Sequence, residues 1–138
     1  MSPLQVQPAR EGAPRGHVLV VEDEPMIGRI IEHKLVREGH RVTLVRDSHA
    51  AQAALERGDV ELALVDATLD VDGVEFMSQM AATPGAAPAC GWVAMVEQRD
   101  GAARQRARVA GAAEVVLKPF KPTAVAALVL DLLERAPV

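Results

Sequence analysis

Two short stretches, Val18-Leu-Val-Val21 and Leu62-Ala-Leu-Val65, are apolar without interruption, and each runs straight into acid: Glu22-Asp23-Glu24 after the first and Asp66 after the second. A strand with one wet face alternates apolar and polar residues, so a run without alternation belongs to a strand covered on both faces. Helices supply that cover in parallel sheets, and the two runs therefore predict central strands of an α/β domain. Three more short runs rich in Val and Leu complete the set, giving expected strands over 17–22, 41–45, 61–66, 90–96 and 113–117.

Helix-period segments separate these runs. Residues 25–38 open with Pro25 at a first helical position, repeat apolar side chains at Ile27, Ile30, Ile31 and Leu35, and stop at Gly39. Ser48 is expected to cap a second helix through Arg57; a third spans 73–82, and Asp100 caps a fourth that ends at Gly111. The fifth, 121–135, carries the stripe Val125, Leu128, Val129 and Leu132, with Ala124, Ala127 and Leu130 on its other faces. Such a helix is expected to cover more than its own core, and together with Arg99, Arg104, Arg106 and Arg108 around the fourth helix it is the expected partner surface.

Length sets the domain count. A chain of 138 residues fits one core. Residues 1–16, with Pro3, Pro8, Pro14, Gly12 and Gly16 and no apolar stretch, read as a disordered tail rather than a signal peptide or membrane anchor. Residues 17–138 then form the domain, and five strands with five helices leave no room in it for an output module, so a stand-alone protein is expected. Trp92, Phe76 and Phe120 are the aromatic residues, too few for a base-stacking platform, and a formal charge of −4 opposes phosphate-backbone binding. Cys90 is alone, which excludes an intrachain disulfide and a thiolate-rich zinc site and fits a cytoplasmic location. The histidines at 17, 33, 40 and 49 follow no metal-ligand spacing and read as packed or solvated side chains.

Parallel sheets bind ligands outside the carboxyl ends of their strands, so the polar residues there carry the functional reading. If the first and third strands are neighbours, Glu22, Asp23 and Asp66 converge, with Lys118 arriving from the end of the fifth. Two carboxylates about 4 Å apart at an effective dielectric near 20 repel by roughly 4 kcal/mol, and a hard divalent cation is the natural compensation. Magnesium takes oxygen ligands and often shares them with a phosphate oxygen. A carboxylate beside it can attack a phosphoryl group to give an acyl phosphate, while the metal and Lys118 offset the charge being transferred. Glu24 and Asp100 are read as loop solubilisers.

The ordered set Glu22-Asp23, Asp66, Asp72-Gly73, Gly111-Ala112 and Lys118-Pro119-Phe120 resembles the receiver domain of two-component response regulators, over residues 17–135. The resemblance implies a doubly wound five-stranded parallel sheet of order 2-1-3-4-5, flavodoxin-like, with helices on both faces. It implies that Asp66 is the phosphoacceptor, that Glu22, Asp23, Asp66 and the Thr68 carbonyl hold Mg2+, and that Lys118 contacts the phosphoryl group. It further implies a cis Lys118-Pro119 bond, and a sensor histidine kinase or histidine phosphotransferase as phosphodonor. A homodimer or another downstream protein partner is compatible with it; nucleic acid and membrane are not expected partners. The chain would be a signalling domain, not an enzyme in the ordinary sense.

Two departures concern how phosphorylation would be reported. Val96 stands where such domains carry Thr or Ser, and Val115 where they carry an aromatic residue, so the usual coupled rearrangement is absent and the backbone amides near Val96 and Glu97 are left to bind phosphate. The stretch from Asp66 to Gly73 is also one residue shorter than usual, with Asp70 near the customary proline. Departures of this kind motivate an alternative: a pseudo-receiver that binds partners irrespective of phosphorylation. Asp70-Val-Asp72-Gly-Val74 also resembles the opening of haloacid-dehalogenase-type phosphatases, but that motif should follow an apolar strand directly, and here the strand ends at Asp66. Flavin binding is disfavoured by acid where a phosphate cradle is needed.

Overall fold

The computed structural model describes residues 15–135, and the expected tail lies outside them up to residue 14. Arg15 and Gly16 are tied down: the Arg15 N–H donates to the Gly39 carbonyl and the Gly16 carbonyl accepts from Arg41. Strands and helices alternate strictly: β1 (His17–Val21), α1 (Pro25–Arg37), β2 (Arg41–Val45), α2 (Ser48–Glu56), β3 (Leu62–Asp66), α3 (Gly73–Ala81), β4 (Trp92–Glu97), α4 (Gly101–Val109), β5 (Glu114–Lys118) and α5 (Pro122–Glu134). The sheet is parallel throughout, in the order β2-β1-β3-β4-β5. All ten elements fall within a few residues of where the sequence puts them.

The uninterrupted apolar runs do what their lack of alternation requires. Leu19, Val21, Ala63 and Val65 point into one core with α2, α3 and α4; Val18, Val20, Leu62 and Leu64 point into a second with α1 and α5. Every residue of β1 and β3 is buried, whereas the edge strand β2 is only partly covered. Truncating a fully buried leucine such as Leu64 to alanine would cost about 2–5 kcal/mol, so these two strands anchor the fold.

Boundaries shift for local reasons. Asp47, not Ser48, caps α2, its carboxylate accepting the Ala50 N–H at 2.8 Å. Asp72 caps α3 and Asp100 caps α4 in the same manner. Strand β4 begins at Trp92 rather than residue 90 because Gly91, at φ 101, turns the chain just before it. Strand β5 runs one residue further than expected, to Lys118, in register with Glu97.

The partner surface expected on the fifth helix needs correction. Val125, Ala126, Val129 and Leu132 are buried, and Leu128 and Leu133 pack on the same core, so most of the helix's large apolar side chains are used internally. Among the described residues, the exposed large apolar ones are Met26, Ile30 and Val36 on α1, Val71, and Val109 on α4. Arg106 is engaged with Asp72. Among the described residues no helix is long and apolar enough to cross a membrane.

Candidate functional site

Register assembles the site. Val21 pairs with Val65 across β1 and β3, so the next residue of β1's chain, Glu22, emerges beside Asp66, the last residue of β3. Lys118 closes β5 from the far side of β4. Ligand atoms of Glu22, Asp23 and Asp66 all lie within 4.8 Å of one another, and no other such cluster occurs among the described residues. Glu22 and Asp66 are buried, and Asp23 is exposed at the mouth.

Lys118 ties the acids together. Its Nζ donates a hydrogen bond to Asp66 Oδ2 at 2.9 Å and lies 2.9 Å from Glu22 Oε1. The contact to Glu22 has the distance of a hydrogen bond without its angle, so Oε1 is buried with no donor aimed at it. Asp66 Oδ1 accepts the Thr68 N–H at 3.0 Å, and Glu22 Oε2 accepts the Glu24 N–H at 3.2 Å. Burial, and then the Asp66 carboxylate beside it, push the Glu22 carboxyl up to about 8 against the pull of Lys118. Burial alone would lower the lysine, but the close contacts and charges of Glu22 and Asp66 outweigh it and hold the ammonium well above its usual range.

The donor set suits a hard divalent cation. Three carboxylates face one ammonium, an excess of two negative charges when all are ionised. All-oxygen ligands of this kind are those of magnesium, and Glu22 Oε1, buried and paired with Lys118 by charge without an aligned hydrogen bond, is an atom a cation would take up. Without a cation, the raised affinity of Glu22 for a proton is the alternative means of relieving the repulsion.

Of the remaining site residues, Thr68 sits in the exposed loop after β3, bridged to Asp72. Val96 is buried, with no hydroxyl to offer; Glu97 is exposed at the end of β4. The carbonyls of Gly91 and Met95 accept from Ala63 and Ala67, while Gln98 donates to the Lys118 carbonyl. Successive residues of a parallel strand address opposite neighbours, so the Glu97 amide points toward β3 and the Val96 amide toward β5. Glu97 is the better placed of the two amides. Val115 is partly buried against the core. The Lys118-Pro119 bond is cis.

Sequence reasoning passed over Glu24. Its Oε1 lies 3.5 Å from Lys118 Nζ, though the side chain is exposed. Two further links were not foreseen: Asp70 to Ser48, and Asp72 to Arg106. The histidines take no part in the acid cluster. A groove of about 200 Å³ beside Lys118 is lined by Ile27, Ile30, Pro119, Phe120 and Pro122.

A parallel α/β sheet of order 2-1-3-4-5, with clustered acids and a lysine at the carboxyl ends of its inner and last strands, defines a receiver-type signalling domain. The chain belongs to the response regulator receiver domains, whose family pattern matches residues 18–130. It is 30% identical over 120 residues to the transcriptional regulatory protein PcoR of Escherichia coli, which covers 86% of this chain and 52% of PcoR. It is 32% identical over 123 residues to the transcriptional regulatory protein TcrA of Mycobacterium tuberculosis, covering 88% and 47%. The chain thus spans about half the length of the curated relatives it matches. Among solved structures, a response regulator from Chloroflexus aurantiacus superposes with a TM-score of 0.79 at 22% identity, over 88% of this chain and 99% of that one. The BeF3-activated receiver domain of DrrB gives 0.73 at 24%, over 87% and 98%.

Proposed function

We propose that Asp66 accepts a phosphoryl group from the phosphohistidine of a sensor histidine kinase or histidine phosphotransferase, and that the chain signals through protein contact or by passing the group onward. The observation that carries this reading is the direct hydrogen bond from Lys118 Nζ to the buried Asp66 carboxylate inside a cluster of acids. In the reaction an Asp66 carboxylate oxygen forms a bond to phosphorus, the N–P bond of the donor breaks, and the departing imidazole keeps the bonding pair and is protonated from solvent. Glu22, Asp23, Asp66 and the Thr68 carbonyl would hold Mg2+, which when bound supplies positive charge against the phosphoryl oxygens. Lys118 supplies a second positive charge, and the Glu97 amide a hydrogen-bond donor.

Val96 and Val115 favour a second reading, a pseudo-receiver whose interactions ignore phosphorylation. Incubation with Mg2+ and acetyl phosphate, followed by intact-mass measurement, separates the two. The receiver reading expects a gain of one phosphoryl group that disappears in Asp66→Asn. No gain in protein that binds Mg2+, with either acetyl phosphate or a competent histidine donor, supports the pseudo-receiver.

A further inference from the structure

We propose that Asp70 is a positioning residue for the metal-binding loop. This rests on the reading of Glu22, Asp23, Asp66 and the Thr68 carbonyl as a divalent-cation site. Asp70 Oδ1 accepts the backbone N–H of Ser48 at 2.9 Å, and Oδ2 accepts the Ser48 hydroxyl at 2.7 Å. Both donors sit at the start of α2, so one carboxylate staples the loop after β3 to a different element of the fold.

The rest of the loop explains why one staple matters. Residues 67–72 connect the end of β3 to α3 along a short path: Gly73 donates its N–H to the Ala67 carbonyl at 2.8 Å, and Leu69 donates to Val71 at 3.0 Å. A Cβ on Gly73 would collide with the Asp66 carbonyl oxygen, so the far end of the loop is closed hard against the phosphoacceptor's own backbone. Asp72 is fixed twice, by capping α3 and by pairing with Arg106 on α4. Between these anchored ends lies the stretch from Thr68 to Val71, exposed except for Leu69, which packs on the core, and Asp70 is its tether to α2. A proline at this place would stiffen the chain by fixing φ. Asp70 achieves a similar restriction through two hydrogen bonds and leaves its own N–H in place.

The test is magnesium affinity measured by calorimetry on the full chain, with amide exchange of the loop measured separately in EDTA. Asp70→Ala is expected to weaken magnesium binding by about tenfold, the low end of the loss seen when groups that orient metal ligands are removed, because the loop carrying the Thr68 carbonyl loses its tether to α2. Ser48→Ala removes one hydrogen bond without changing charge and is expected to weaken it by about threefold. Asp70→Asn, which keeps an acceptor for the Ser48 N–H, should fall between wild type and Asp70→Ala. Thermal midpoints in EDTA should stay close to wild type, because the staple lies outside both cores. Ser48→Ala binding like wild type, with Asp70→Asn and Asp70→Ala equally weak, would mean that only the negative charge matters and would overturn the proposal. Unchanged affinity in all three would overturn it as well. Should wild type bind no magnesium, the reading of the acid cluster fails, and exchange at Thr68 and Gly73 decides the staple by itself: faster exchange in Asp70→Ala upholds it, and wild-type exchange rejects it.

Discussion

The two ends of the sheet handle buried polar groups in opposite ways. At the amino end, His17 is buried yet satisfied: Nε2 contacts the Thr43 hydroxyl at 2.7 Å, Nδ1 contacts the Asp59 carbonyl at 3.0 Å, and its backbone N–H donates to Glu61 at 2.8 Å. At the carboxyl end, Glu22, Asp66 and Lys118 crowd together, with one Glu22 oxygen held by charge alone and no aligned hydrogen bond. A network closed on itself serves the fold, whereas buried acids in excess over their one ammonium call for something from outside. The contrast has one exception. His40, at the amino end, is buried with neither ring nitrogen partnered.

Lys118→Met attacks the carboxyl end most directly. Removing the ammonium is expected to slow phosphorylation by acetyl phosphate by about a hundredfold, and to cost the metal-free protein about 3 kcal/mol in urea unfolding, because the acids lose their buried counter-charge. Near-wild-type rates would remove Lys118 from the chemistry.

Next in size is a pH effect. The folded Glu22 carboxyl is raised from 4.5 to about 8, so its neutral form is the one the fold favours. Metal-free stability is therefore highest below pH 4.5 with respect to this group, and is lost as pH rises toward and through 8, by on the order of 2–4 kcal/mol. Glu22→Gln should flatten that slope, and saturating Mg2+ should offset it by binding the ionised form. A wild-type unfolding curve flat from pH 5 to 9 in EDTA would contradict the assignment.

At the amino end the expected pattern is reversed. His17→Ala should destabilise by about 1–3 kcal/mol while leaving magnesium affinity and phosphorylation unchanged. A change in either would mean that the two ends communicate. The smallest effect belongs to His40, whose pKa burial lowers from 6.5; Arg15 pushes the same way, against Glu38 and Glu61. Its contribution is complete above pH 6.5 and lost as pH falls through the folded value, so His40→Leu should remove part of the acid-side fall in thermal midpoint.

The central strands were legible because continuous burial leaves an unmistakable pattern, and Asp66 and Lys118 because each ends such a run or its edge counterpart. Sequence could not rank Asp47 against Ser48 as the cap of α2, since both residue types cap helices. The choice depends on Asp70, 22 residues further on, which occupies the Ser48 hydroxyl. Glu24 looked like a loop solubiliser for the same reason: its partner is 94 residues away. The fifth helix misled differently. Its apolar faces are real, but how much of each is covered depends on α1 and the sheet it packs on, which helical periodicity does not encode.

The strand carrying Asp66 sends Ala63 and Val65 into one core and Leu62 and Leu64 into the other. A force applied at the carboxylate therefore meets a member gripped from above and below, stiff along its whole length. The grip extends to Ala67, whose N–H still bonds the Met95 carbonyl of β4, so the backbone leaves the sheet only at Thr68, whose N–H is bonded to the Asp66 carboxylate and couples it directly to the stapled loop.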